Sequence, residues 1–171
     1  MSSPTEPRHN LAADRLRTVL AGRLPPYAEA IRASAIRLPG GDGATPDLLV
    51  TTADPDDTPH GLPARLVHTA VDVVPSPDHG RGVPPYPTAG IPCYWRVELR
   101  PWWEYLCPVP AIVVRLLCPD GDWRTTLHPA GERTALPVMV SRTELVTVEL
   151  DPADLVGRRV PAVPRRRRPA C

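Results

Sequence analysis

Apolar positions along this chain of 171 residues fall first at helical spacing and then at strand spacing. Between His9 and Arg23, Leu11, Leu16, Val19 and Leu20 share one face of a 3.6-residue period, which predicts a helix. Asn10 is the candidate cap, and Gly22 followed by Pro25-Pro26 ends the segment. Tyr27 to Leu38 alternates weakly and reads as a strand. Gly40-Gly41-Asp42-Gly43 is a turn. Leu48-Leu49-Val50 is a short buried strand entered from Pro46-Asp47, and residues 53–63 form a Pro/Asp loop.

Arg65 to Val74 predicts a longer strand, closed by Pro75 and Pro77, which cannot donate to a ladder. In residues 78–89, Pro84, Pro85 and Pro87 forbid a regular helix. Cys93 to Arg100 alternates cleanly: Tyr94, Arg96, Glu98 and Arg100 on one face, Trp95, Val97 and Leu99 on the other. Ala111–Cys118 and Trp123–Leu127 flank the turn Pro119-Asp120-Gly121-Asp122 and read as a hairpin. Val138–Val140 and Val146–Leu150 are short strands. Asp151 caps a last helical turn with Pro152 at its first position. One helix, a run of strands and a helical segment between two of them predict an α/β or α+β domain built on a mixed sheet.

Composition narrows the classes. The length predicts one domain, expected over residues 8–158, with residues 1–7 and the Arg/Pro-rich residues 159–171 as disordered ends. Formal net charge is +1, so no global field draws the chain to a polyanion or a membrane. No run approaches the ~20 apolar residues of a membrane span, and the first residues lack a signal-peptide pattern; a cytoplasmic location is expected. The chain contains neither lysine nor phenylalanine, and with 25 prolines its composition suggests a GC-rich bacterial source. Cys93, Cys107, Cys118 and Cys171 have no zinc-type spacing and read as reduced thiols.

Candidate chemistry rests on two acids. Asp47 begins a buried strand and Asp72 lies near the end of the next. Carboxylates at adjacent strand ends can converge on one divalent ion, and Mg²⁺ accepts one or two such ligands together with waters and a substrate phosphate. Acids at strand ends also serve as caps and turn formers, so spacing alone leaves both readings open.

Residues 44–99 narrow that choice. Pro46-Asp47 before a buried strand, Val71-Asp72-Val73-Val74, Ser76-Pro77, Asp78, Tyr86, Ala89-Gly90-Ile91-Pro92 and Tyr94-Trp95-Arg96-Val97-Glu98-Leu99 resemble the core of the Uma-type restriction-endonuclease family, a bacterial branch of the PD-(D/E)XK nucleases. His9 with the first helix, and Leu150 to Val156, extend the resemblance more loosely. It implies a restriction-endonuclease-like mixed β-sheet flanked by helices, Mg²⁺-dependent hydrolysis of DNA, and Asp47 and Asp72 as metal ligands. A homodimer is compatible with this class.

Departures from that pattern bear on activity. The family has Glu where this chain has Asp72, one methylene shorter. The family's lysine falls at Gly82, and Arg81 is the neighbouring cation that would have to replace it. Arginine stays protonated and cannot act as an adaptable amine beside a water. The chain starts almost at the family's first helix, and one further acid, from the family's opening hairpin, is expected to be missing. The expectation is a nuclease-like protein with an impaired site. The alternative is an inactive nuclease fold that binds DNA or another protein. Other residues fit structural roles first: His68 as a strand histidine able to share the Asp72 face, Asp78-His79 as loop residues, Trp102-Trp103-Glu104-Tyr105 as a packing or dimer surface, and Arg165 to Arg168 as a solvated tail.

Overall fold

The computed structural model describes residues 7–41, 43–74, 85–100 and 107–157. It opens with helix α1 (Pro7–Ala21), followed by strands β1 (Glu29–Arg32), β2 (Ile36–Arg37), β3 (Gly43–Ala44), β4 (Leu48–Thr51), β5 (Leu62–Pro63), β6 (Val67–Val74) and β7 (Cys93–Glu98). Strands β8 (Ala111–Leu117), β9 (Trp123–Pro129), β10 (Thr134–Met139) and β11 (Leu145–Leu150) complete the set.

Among the described residues, six strands form the main sheet in the order β1-β4-β6-β7-β8-β9. All neighbours are antiparallel except β6 and β7, which run parallel with Asp72 opposite Arg96. A parallel pair needs a crossover between its strands, and residues 75–92 supply it. The sheet is mixed, as the sequence predicts.

Helix α1 packs on one face of this sheet. Its buried stripe is His9, Ala12, Ala13, Leu16 and Leu20. Leu11, expected in the stripe, is 41% exposed: the two alanines occupy the line nearest the sheet and rotate Leu11 to the flank. The helix begins at Pro7, so Asn10 is not its cap. Asn10 lies inside the helix, where its side chain accepts from Arg32 Nη2 at 3.4 Å. The helix ends at Ala21, and the Gly22 N–H bonds the Thr18 carbonyl, close to the predicted stop.

The same core takes in Val71, Val73, Trp95, Val97 and the hairpin of β10 and β11. Trp95 is fully buried and donates its indole N–H to the Pro137 carbonyl at 3.0 Å. Thr69 Oγ1 both donates to Met139 O and accepts from Met139 N, at 2.9 and 3.0 Å, clamping β10 across β6. Burying a tryptophan or a threonine requires partners for its polar atoms, and the hairpin provides them.

The opposite face carries a smaller core of Ile36, Leu49, Leu62, Val67, Ala70, Tyr86, Ile91 and Tyr94. A three-stranded sheet, β3-β2-β5, borders it. Gly61 is required there: φ is +94°, and a Cβ would lie 2.9 Å from the Ala35 carbonyl oxygen. The predicted single strand from Tyr27 to Leu38 is two strands in two sheets, separated where Ala33 takes φ 47°. The predicted strand from Arg65 starts at Val67, because Ala64–Leu66 form a 3-10 turn. Asp151 caps the last turn as expected, its carboxylate accepting from Ala153 N.

Candidate functional site

Asp47 lies just before β4 and Asp72 near the end of β6, at neighbouring strand ends. Leu48 pairs with Val71, so continuing this antiparallel register by one residue sets Asp47 opposite Asp72. Each carboxylate is held by its own donors. Asp47 Oδ1 lies 2.8 Å from His9 Nε2, and Oδ2 accepts the Val73 backbone N–H at 2.7 Å. Asp72 Oδ1 accepts from the Tyr86 hydroxyl at 3.2 Å, and Oδ2 from the Tyr94 hydroxyl at 3.1 Å.

Local structure explains the arrangement. Side chains two apart on a strand share a face, so Asp72 lies on the side of Ala70, in the smaller core. Tyr94 occupies the matching face of β7, and Tyr86 comes from the turn at 85–90, closed by a bond from Ile91 N to Tyr86 O at 3.0 Å. The two tyrosine rings lie 5.3 Å apart at 37°. The Tyr94 hydroxyl is pushed well above its ordinary pKa, by burial first and then by the Asp72 carboxylate. It is thus a permanent donor to Asp72 at physiological pH. His9 comes from the first turns of α1 on the opposite side and reaches Asp47 at the strand start.

Arg96 and Glu98 follow Tyr94 on the same face of β7. Glu98 is 2% exposed, and Arg96 Nε donates to its Oε1. A carboxylate so buried needs such a partner. Arg96, register partner of Asp72, is the described cation on this face of β7. His68, four residues before Asp72, is buried, with Nε2 3.4 Å from Thr52 Oγ1. Its pKa is lowered by burial and then by the nearby Arg142 charge. The Cys93 thiol is buried and pushed up to about 11 by desolvation.

Among the described residues, no three His, Cys, Asp or Glu side chains gather as a metal site. The pair Asp47 and Asp72 still suits a hard cation in donor type. Carboxylate oxygens are hard donors, and each offers about two acceptor positions. Arg81 and Gly82, the replacement cation and the lysine position, lie outside the described residues, as do Asp78, His79, the aromatic run at 102–105 and Arg165 to Arg168. His9 entered the sequence reading only as part of the first helix. Its contact with Asp47 joins residues 38 apart in the chain, which helical periodicity cannot reveal. The Tyr94, Arg96 and Glu98 face was readable from strand alternation; that it borders Asp72 depends on the parallel pairing of β6 and β7.

No family profile matches the chain, and no curated protein matches it. Among solved structures, the fold resembles the crystal structure of a "putative nuclease belonging to DUF820" from Anabaena variabilis. That likeness has a TM-score of 0.55 at 15% identity, over 91% of this chain and 84% of the other. Among the described residues, no helix is long and apolar enough to cross a membrane. With its mixed sheet and its helix on one face, the chain has a restriction-endonuclease-like fold.

Proposed function

We propose that this protein hydrolyses phosphodiester bonds in DNA slowly and with Mg²⁺, using Asp47 and Asp72 as the metal-holding carboxylates. The observation that supports this reading is the β4–β6 register, which pairs Leu48 with Val71 and so sets Asp47 and Asp72 at neighbouring strand ends, in a fold similar to that of a nuclease. A bound Mg²⁺ would polarise the phosphoryl oxygen and help generate hydroxide. The chain's own groups orient the acids: His9 and the Val73 amide fix Asp47, and the two tyrosines fix Asp72. Side chains held this way lose little freedom when a substrate arrives.

The slowness follows from the absence of lysine in the sequence. Arginine, from Arg81 or Arg96, can offset developing charge but cannot release a proton near neutrality. Loss of one preorganised charge donor costs about 10²–10³ in rate. A second reading, an inactive nuclease fold that only binds DNA, is favoured by the protein partners that already engage all four carboxylate oxygens.

Nicking of supercoiled plasmid separates the two. Mg²⁺-dependent nicking that chelator abolishes and Asp72→Asn removes supports hydrolysis. Plasmid retained in a gel-shift but left intact in Mg²⁺ and Mn²⁺ supports the binding reading.

A further inference from the structure

Beside the smaller core lies a cleft of about 540 Å³ that the carboxylates do not use. Arg37 of β2 and Arg65 of the 3-10 turn line it; Leu38, Pro39, Pro63 and Ala89 are among its apolar walls. Among the described lining residues there is no acid. The register places Arg37 beside Pro63, two residues before Arg65, so both arginines line the same cleft. Both arginines are exposed.

The cleft is braced. Arg37 Nε donates to the Gly61 carbonyl at 3.1 Å, anchoring that guanidinium on the wall. Arg142 bonds both the Gly90 carbonyl and the Arg65 carbonyl, tying the turn at 85–90 to the cleft's other side. That turn gives Ala89 to the cleft and Tyr86 to Asp72. The cleft and the carboxylate pair therefore share a structural element.

Two guanidinium groups, with no carboxylate among the described lining residues, suit phosphate oxygens. Apolar walls beside a few convergent polar groups suit an organic ligand of nucleotide size. We propose that this cleft seats one unpaired nucleic-acid strand, with Arg37 and Arg65 on successive phosphates and a sugar and base against Leu38, Pro39 and Pro63. This deepens the DNA-directed reading above and rests on it for the choice of polyanion.

The test is fluorescence anisotropy with labelled oligo(dT), in chelator so that no cleavage intervenes. Wild type is compared with Arg65→Ser, Arg37→Ser/Arg65→Ser and, as a control on the far edge strand, Arg124→Ser. Arg65→Ser leaves the backbone carbonyl that Arg142 uses, and thermal melting checks that each variant is folded. The double variant is expected to bind about tenfold more weakly, with a salt slope shallower by about 1.4, since each phosphate contact to a single strand contributes about 0.7. The single variant falls between, and Arg124→Ser matches wild type.

Equal binding by wild type and the double variant, an equal loss in Arg124→Ser, tighter binding to polyglutamate than to oligo(dT), or no binding by wild type overturns the assignment. Mg²⁺-dependent nicking that survives the double variant undiminished, with unchanged binding, rejects the cleft and leaves the hydrolytic reading standing. Arginine-dependent binding without any nicking does the reverse.

Discussion

Asp47 Oδ2 accepts the backbone N–H of Val73 at 2.7 Å, so one candidate ligand holds in place the residue next to the other. Asp47 is thus a structural acceptor as well as a candidate metal ligand. Replacing it with alanine strands a partly buried amide, which costs about 1–3 kcal/mol. Asp47→Asn keeps a carbonyl acceptor for Val73 but loses the charge facing His9. Urea denaturation is expected to show Asp47→Ala clearly destabilised and Asp47→Asn close to wild type, while both lose any Mg²⁺-dependent nicking. Equal stability of wild type and Asp47→Ala contradicts this.

Tyr94 gives the fold an alkaline limit. Its pKa is raised in the folded state by burial and by Asp72, so the unfolded chain releases the phenolic proton first. The stabilisation is complete below pH about 10 and falls as pH rises beyond it. Tyr94→Phe removes that ionisation and makes the alkaline limb shallower without abolishing it, because the raised Cys93 thiol remains, at a loss near neutrality of about 1 kcal/mol for the missing hydrogen bond. Urea midpoints measured from pH 8 to 11 read both effects.

His68 acts at the other end of the scale. Burial and Arg142 lower its pKa, and burial lowers that of His128. The unfolded chain therefore takes up protons first as pH drops, and stability present above pH about 6.5 is lost below it. His68→Asn should reduce the slope of stability between pH 7 and 5 without abolishing it, because His128 remains. An unchanged slope counts against a neutral buried His68.

Ala33 holds a left-handed φ of 47°, and its N–H bonds the Asp47 carbonyl at 3.0 Å. This conformation costs a non-glycine residue about 1–2 kcal/mol. Ala33→Gly is expected to raise stability by about 1 kcal/mol, less the entropy glycine adds to the unfolded chain. Gly61→Ala should lower it, since φ is unfavourable and the added Cβ meets Ala35 O at 2.9 Å. Thermal melting of the pair, with opposite shifts, is the check.

The sequence was most legible where local signals agree. Alternation at Tyr94–Leu99 assigned both faces of β7, the turn at Asp120-Gly121 assigned the β8–β9 hairpin, and Asp151-Pro152 assigned the last cap. It was least legible where tertiary packing decides. Leu11 counts as an apolar helix position, yet Ala12 and Ala13 take the sheet-facing line because small residues allow close approach. Asn10 has cap chemistry, yet the helix begins three residues earlier. At the site, the two acids could be named from strand ends and resemblance. Their partners could not, since His9, Tyr86 and the Val73 amide reach them through the crossover, the helix docking and the register.

The most direct measurement is the initial nicking rate of supercoiled DNA by wild type and by Asp72→Asn, side by side in Mg²⁺, with a chelator control. The account predicts slow, Mg²⁺-dependent nicking by wild type and none above the chelator background by Asp72→Asn. Equal rates for the two proteins, or no metal-dependent nicking by wild type, would contradict it.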